Sequence, residues 1–148
     1  MKKLLAAICI NLLLVNFAFA GAGTPAEAKA MVEKAVAYIK ANGKEAGFTE
    51  FNNKKGKFVD RDLYIFATDY KGFMIAHGGN EKLVGQDLIE LKDADGVYLI
   101  KAMIEVAKTK GTGSVDYKWA NPVSGKIEPK TTYVHAMDGY FVACGAYK

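Results

Sequence analysis

The chain has 148 residues, a formal charge of +4 and a composition of 51% hydrophobic and 24% charged residues. Those proportions describe a globular chain of one-domain size rather than a disordered or fibrous one. Its lysines are scattered and Arg61 is the single arginine, so a clustered basic face for nucleic acid is excluded.

In chain order, Met1 to Ala20 reads as a secretory signal peptide: Lys2 and Lys3 form a positive start, Leu4 to Phe17 is apolar, and Ala18-Phe19-Ala20 is a cleavage signature. The apolar run is shorter than the ~20 residues of a membrane span. Cleavage is expected after Ala20, with Ala22 as the alternative. Cys9 lies in the apolar run after Ile8 and does not read as a lipid-anchored cysteine. Removal leaves residues 21–148 as one domain with a formal charge of +2, no transmembrane anchor and one cysteine, Cys144. No internal disulfide is then available, and Cys144 reads as a small buried residue. The expected location is the periplasm.

Thr24-Pro25-Ala26-Glu27 is a capping box, and Ala28, Met31, Val32, Ala35 and Ile39 recur at helical spacing. A long helix over about 24–42 follows, ended by Asn42-Gly43. A shorter helical or irregular piece spans Glu45 to Asn53. Leu63–Thr68 and Phe73–Ala76 form a hairpin around Asp69-Tyr70-Lys71-Gly72. Glu81 to Leu91 reads as a short helix or an irregular lid. Asp93-Ala94-Asp95-Gly96 is expected to open a helix with Val97, Ile100, Met103, Ile104 and Ala107 on one face. Three closing strands are expected at Ser114–Ala120, Lys130–Ala136 and Tyr140–Tyr147. Five mostly antiparallel strands with helices segregated in sequence make an α+β fold.

Alternation puts Tyr64 with Phe66, Tyr117 with Trp119, and Tyr133 with His135 on shared faces of the sheet. Rings carrying a hydroxyl or an N–H suit a ligand pocket, since the ring packs while its polar edge orients a ligand. The competing reading is ordinary core beneath the long helix, and for Phe66 the two stand level. Lys130 enters its strand after Pro129 and offers a cation for an anionic ligand. It has the opposite parity to Tyr133, so both face one ligand only if the strand bulges near Pro129. His77 either donates to an anion or caps its turn. Two histidines and one mature cysteine without paired spacing give no zinc site, and Asp93-x-Asp95-Gly96 lacks the later ligands of a calcium loop. Helix capping accounts for those aspartates instead. No catalytic constellation, phosphate-cradling loop or cofactor motif is present, so the chain reads as a non-enzyme without a cofactor.

The chain resembles the single Cache domains of type 2, extracytoplasmic PAS-like sensor modules. The resemblance rests on Asp62-Leu63-Tyr64-Ile65-Phe66 with Asp69-x-x-Gly72, on Ala76-His77 and on Leu83-Val84-Gly85-Gln86-Asp87-Leu88. Asp93-x-Asp95-Gly96, Gly111-x-Gly113-x-Val115-x-Tyr117-x-Trp119, Pro129-Lys130-x-x-Tyr133-Val134 and Gly145-x-Tyr147 continue it. It implies a long N-terminal helix packed on a five-stranded antiparallel sheet, with a PAS-like core over about 58–148 and a pocket between the sheet and the pieces before the last three strands. It further implies a small organic ligand, often a carboxylate, met by Tyr64, Phe66, His77, Tyr117, Trp119, Lys130 and Tyr133. Gly78 stands where the family often has proline after the histidine. Most members are flanked by membrane helices in chemoreceptors or sensor kinases. Here the chain stops after the last strand, so a free-standing domain is expected, signalling through a membrane receptor or sensor kinase partner. The alternative is an interaction subunit docking on such a partner with a vestigial pocket. The resemblance allows a homodimer, because Cache helices pair in receptors.

Overall fold

A computed structural model describes residues 21–148; residues 1–20, on which the signal-peptide reading and Cys9 fall, lie outside the described residues. Helix α1 spans Pro25–Asn42 and α2 spans Lys44–Phe51. The capping box forms as expected: the Thr24 hydroxyl accepts from the Glu27 amide at 3.2 Å, and the Glu27 carboxylate accepts from the Thr24 amide at 2.7 Å. Strands β1 (Val59–Asp60), β2 (Leu63–Asp69) and β3 (Met74–His77) follow, then one 3-10 turn at Glu81–Leu83. Helix α3 covers Leu99–Lys110, and β4 (Thr112–Ala120), β5 (Ile127–Ala136) and β6 (Tyr140–Tyr147) complete the chain.

The sheet is antiparallel throughout, in the order β1-β2-β6-β5-β4, with β3 also paired to β2. Five of its strands are those expected; the two-residue β1 is the addition. Strict alternation divides the residues between two cores. Leu63, Ile65 and Ala67 of β2 and Val142, Cys144 and Ala146 of β6 face α1, where Ala28, Val32, Ala35, Val36 and Ile39 are buried. Tyr64 and Phe66 of β2 and Phe141 and Ala143 of β6 face α3, which buries Leu99, Ile100, Met103, Ile104 and Ala107. The sheet thus belongs wholly to neither side: it is a wall between two hydrophobic compartments.

One expectation is corrected here. Asp93 to Gly96 does not open a helix, since α3 begins only at Leu99. The Asp93 Oδ1 accepts from the Asp95 and Val97 amides at 2.9 and 2.8 Å, closing a turn, and Gly96 supplies the positive φ of 82° that this turn requires. The other oxygen accepts from the Lys118 amide at 2.8 Å, which fastens the turn to β4. At its other end the same segment is fastened to β3: the Met74 amide donates to Gln86 and the Gly85 amide to Met74, at 3.0 and 2.8 Å. Residues 83–98 therefore form a roof slung from one side of the sheet to the other.

Candidate functional site

Lys130 anchors the α3 side of the sheet. Register places Tyr117, Lys130 and Tyr147 in one cross-strand row over β4, β5 and β6. The next row along carries Val115, Thr132 and Gly145, and Tyr64 of β2 follows beyond Gly145. The Lys130 side chain leans from its own row across Gly145 to reach Tyr64. Gly145 has to be bare for this, because a Cβ there would run into Thr132 Oγ1 and the Lys130 stem.

The Lys130 Nζ donates to the Tyr64 hydroxyl at 2.7 Å and to the Tyr147 hydroxyl at 3.4 Å. It also lies 4.1 and 4.7 Å from the centroids of those same two rings. Only 1% of the residue is exposed, and among the described residues no carboxylate meets its ammonium. Burial accordingly pushes its pKa down to about 7. Asp62 is the nearby acid, but it is buried while accepting from the Gly23 amide at 2.7 Å. Tyr147 commits its own proton to the Ala120 carbonyl at 2.8 Å, and Tyr117 pairs with Thr132 at 2.9 Å. Tyr64 thus accepts from the cation and keeps a proton to offer, across 3.4 Å to Tyr147 or to a ligand.

His77 pairs with Phe66 in the β2–β3 ladder, and its ring lies 4.9 Å from that of Tyr64 and 5.7 Å from that of Phe66. Its Nδ1 accepts from the Gly79 and Asn80 amides at 3.1 and 2.8 Å. That contact fixes the tautomer: the proton of the neutral ring sits on Nε2. Burial, reinforced by the Lys130 charge, pushes the His77 pKa down to about 3. The turn-capping and ligand-facing readings of this residue are compatible, since one nitrogen serves each. Gly79 is bare beneath the Tyr64 ring, which a Cβ would meet at 2.9 Å.

Tyr64, Phe66, His77, Tyr117 and Trp119 come together around one hollow, closed by Leu83, Leu88, Leu91, Leu99 and Ile100 from the roof and α3. Its free space is about 10 Å³, the size of a single water. A cleft of about 220 Å³ adjoins it, shares Tyr64, His77 and Trp119, and continues along Gly79, Asn80 and Ala120 to Pro122. Those three rings are therefore a partition with the hollow on one side and the cleft on the other. Lys130 stands behind Tyr64 and lines neither space. A larger groove of about 260 Å³ beside α1 is lined by Glu27, Lys34, Lys57 and Asp60, an open and charged surface that none of these rings enters.

Tyr133 is not brought to this site. The ladders on both sides of β5 run without a register break from Lys130 to His135, so the bulge that would align Tyr133 with Lys130 is absent. Its ring faces α1 instead, with the Lys29 ammonium 5.5 Å from its centroid. Tyr147, Thr132 and Gly145 belong to the Lys130 environment but were not among the site residues expected from the sequence, where Gly145-x-Tyr147 stood only as part of the family pattern. Counting outward from the Asp138-Gly139 turn would have paired Lys130 with Tyr147. Among the described residues no His, Cys, Asp and Glu cluster could hold a metal ion.

The family model for single Cache domain 2 matches residues 16–148. Among curated proteins, the chain is 32% identical over 90 residues to the methyl-accepting chemotaxis protein McpP of Pseudomonas putida, covering 60% of this chain and 16% of that protein. It is 35% identical over 89 residues to the sensor histidine kinase MctS of Rhizobium johnstonii, covering 59% of this chain and 19% of the kinase. The match thus spans less than a fifth of either relative's length. Among solved structures, a methyl-accepting chemotaxis protein of Vibrio parahaemolyticus superposes with a TM-score of 0.71 at 26% identity, covering 82% of this chain and 86% of that one. A Cache chemosensory domain described for carboxylic acid recognition superposes with a TM-score of 0.64 at 27% identity, covering 80% and 84%.

Proposed function

The chain belongs to the single Cache domain 2 family, and from that premise we propose that it binds a small carboxylate, or a related organic anion, on the α3 side of its sheet. The observation that carries this reading is Lys130: a fully buried cation whose only polar contacts among the described residues are two tyrosine hydroxyls. An ammonium held out of water without a counter-charge is costly, and an anion beside it offsets that cost. Tyr64 presents its hydroxyl proton and His77 its Nε2–H to the carboxylate, with Lys130 acting through Tyr64. Phe66, Tyr117, Trp119 and the roof leucines take the ligand's apolar part. The neighbouring structure described for carboxylic acid recognition supports the same ligand class.

In this reading the domain works outside the cytoplasm, in the periplasm, and passes its signal through a partner of the chemoreceptor or sensor-kinase kind. Similarity to parts of McpP and MctS and to a periplasmic sensor domain of a chemotaxis protein supports that placement. No helix among the described residues is long and apolar enough to cross a membrane.

The test is a thermal-shift screen at pH 6 over acetate, propionate, pyruvate and succinate, with methylamine as a cationic control, followed by calorimetry. A ligand at about 100 times its Kd adds ~2.7 kcal/mol to stability. Lys130→Met should weaken binding roughly 10- to 100-fold, the cost of losing a charge-assisted interaction of ~1.5–3 kcal/mol. Equal affinity in the variant would refute the assignment. A second reading, an interaction subunit with a vestigial pocket, draws support from the one-water size of the hollow. It predicts co-purification with a membrane partner and no shift with any of these compounds.

A further inference from the structure

Among the described residues, the charge on which anion binding depends is met by tyrosine hydroxyls and rings and by no carboxylate. On β2, Tyr64 meets the Lys130 ammonium with a hydroxyl, while the Asp62 carboxylate is taken by the Gly23 amide. From β3 comes His77, kept neutral by burial and by the Lys130 charge, with its Nδ1 taken by two backbone amides. Strand β4 brings Tyr117, bonded to Thr132. Strand β6 brings Tyr147, bonded to Ala120, and Cys144, whose thiol lies against Met31. Helix α3 buries only apolar side chains on this side. Among the described residues no carboxylate faces the amine, and no lysine or arginine lines the hollow.

We propose that above neutral pH a carboxylate is taken into this site together with one proton, which comes from solvent and is bound by the lone pair of the Lys130 amine. This rests on the carboxylate reading above and adds its regulation: occupancy falls as the surroundings become alkaline. The balance is simple. One anion and one proton enter, and the site's net charge is the same before and after. The arrangement acts as an acid-anion trap rather than as a fixed positive socket.

The sign follows from burial. In the empty site the amine loses its proton near pH 7, well below an ordinary lysine. Below that value Lys130 is already charged, the carboxylate is ionised down to about pH 4, and affinity is flat with pH. Above it, the ligand must bring the proton, and affinity falls about tenfold per pH unit until the pKa of the occupied site is passed.

The experiment uses the acid that gives the largest shift in the pH 6 screen. Calorimetry at pH 6.0 and 8.5, in buffers of different ionisation enthalpy, reads the protons exchanged per ligand bound. The expected result is close to one proton taken up at pH 8.5 and few at pH 6.0, with affinity about 30-fold weaker at the higher pH. In parallel, nitrogen-detected NMR of the Lys130 amine should show its titration midpoint rising by about two and a half pH units or more when the acid is added, as uptake of nearly one proton at pH 8.5 requires. Binding at pH 8.5 with no proton uptake, or an unmoved Lys130 midpoint, overturns the inference and leaves carboxylate binding intact. No binding by any acid at pH 6, where the amine is charged, sinks the carboxylate reading itself and this inference with it.

Discussion

The Lys130 ammonium touches Tyr64 twice, at 2.7 Å from its hydroxyl and 4.1 Å from the centroid of its ring. One aromatic residue on β2 thereby does for a β5 cation what an aspartate would ordinarily do, though without the charge. Polar contact and ring contact ease burial of the ammonium but do not neutralise it. This unfinished pairing separates the site from an ordinary buried core.

Stability should report the same imbalance. The folded state prefers the neutral amine, whose pKa lies at about 7 rather than 10.5, so between those values the unfolded chain holds more protons. Stability therefore rises with pH across that window, by up to something on the order of 4 kcal/mol. Lys130→Met should be more stable than wild type at pH 7 and should lose most of this rise. Urea titrations at pH 7 and 10 measure it; a Met variant less stable at pH 7 would contradict the account.

His77 predicts the acid side. It stays neutral to about pH 3 in the fold but titrates near 6.5 when unfolded, so stability contributed by the neutral ring is lost as pH falls from 6.5 towards 3. His77→Gln retains an acceptor for the Gly79 and Asn80 amides and has no proton to gain. Its melting temperature should decline less steeply over that range. An unchanged acid limb would place the proton-sensitive group elsewhere.

Gly145→Ala tests the path taken by the lysine stem. A Cβ at this position collides with Thr132 Oγ1 and with Lys130, both held within the sheet. Destabilisation of about 1–3 kcal/mol is expected, as for other overpacked cores. A lowered urea midpoint accompanied by altered ring resonances of Tyr64 and Tyr147 would identify the displaced side chain. Silent rings with a lowered midpoint would mean that only the backbone is disturbed.

Asp93→Ala should loosen the roof selectively. Its carboxylate accepts from three amides, those of Asp95, Val97 and Lys118, and the last of these joins the roof to β4. Hydrogen exchange over residues 94–98 should quicken severalfold while α1 remains protected. Equal quickening in α1 would show that the whole domain had been weakened instead.

How far the sequence reached is clearest from individual residues. Strong periodicity located α1 and the five main strands, because two opposed apolar faces impose alternation on the sheet. Two-residue β1 carries too little pattern to be seen. Asp93 was misjudged because an aspartate before an apolar run can cap a helix or close a turn, and only the contact with Lys118, 25 residues away, decides which. Parity alone set Tyr133 and Lys130 on opposite faces; the bulge invoked to reunite them was unnecessary, since Tyr147 and Tyr64 already supply the hydroxyls. Those partners come from two other strands, and their meeting depends on register and on a bare Gly145, features invisible to a residue-by-residue reading.

The water-sized hollow carries a kinetic consequence. Within the hollow, as opposed to the adjoining cleft, nothing as large as acetate fits until the span between β3 and β4 lifts, so entry there should be limited by that opening and not by diffusion. In rapid-mixing experiments the observed rate should level off at high concentration, at a plateau shared by acids of different size. A site filled in this way would filter out brief concentration spikes and respond to what persists.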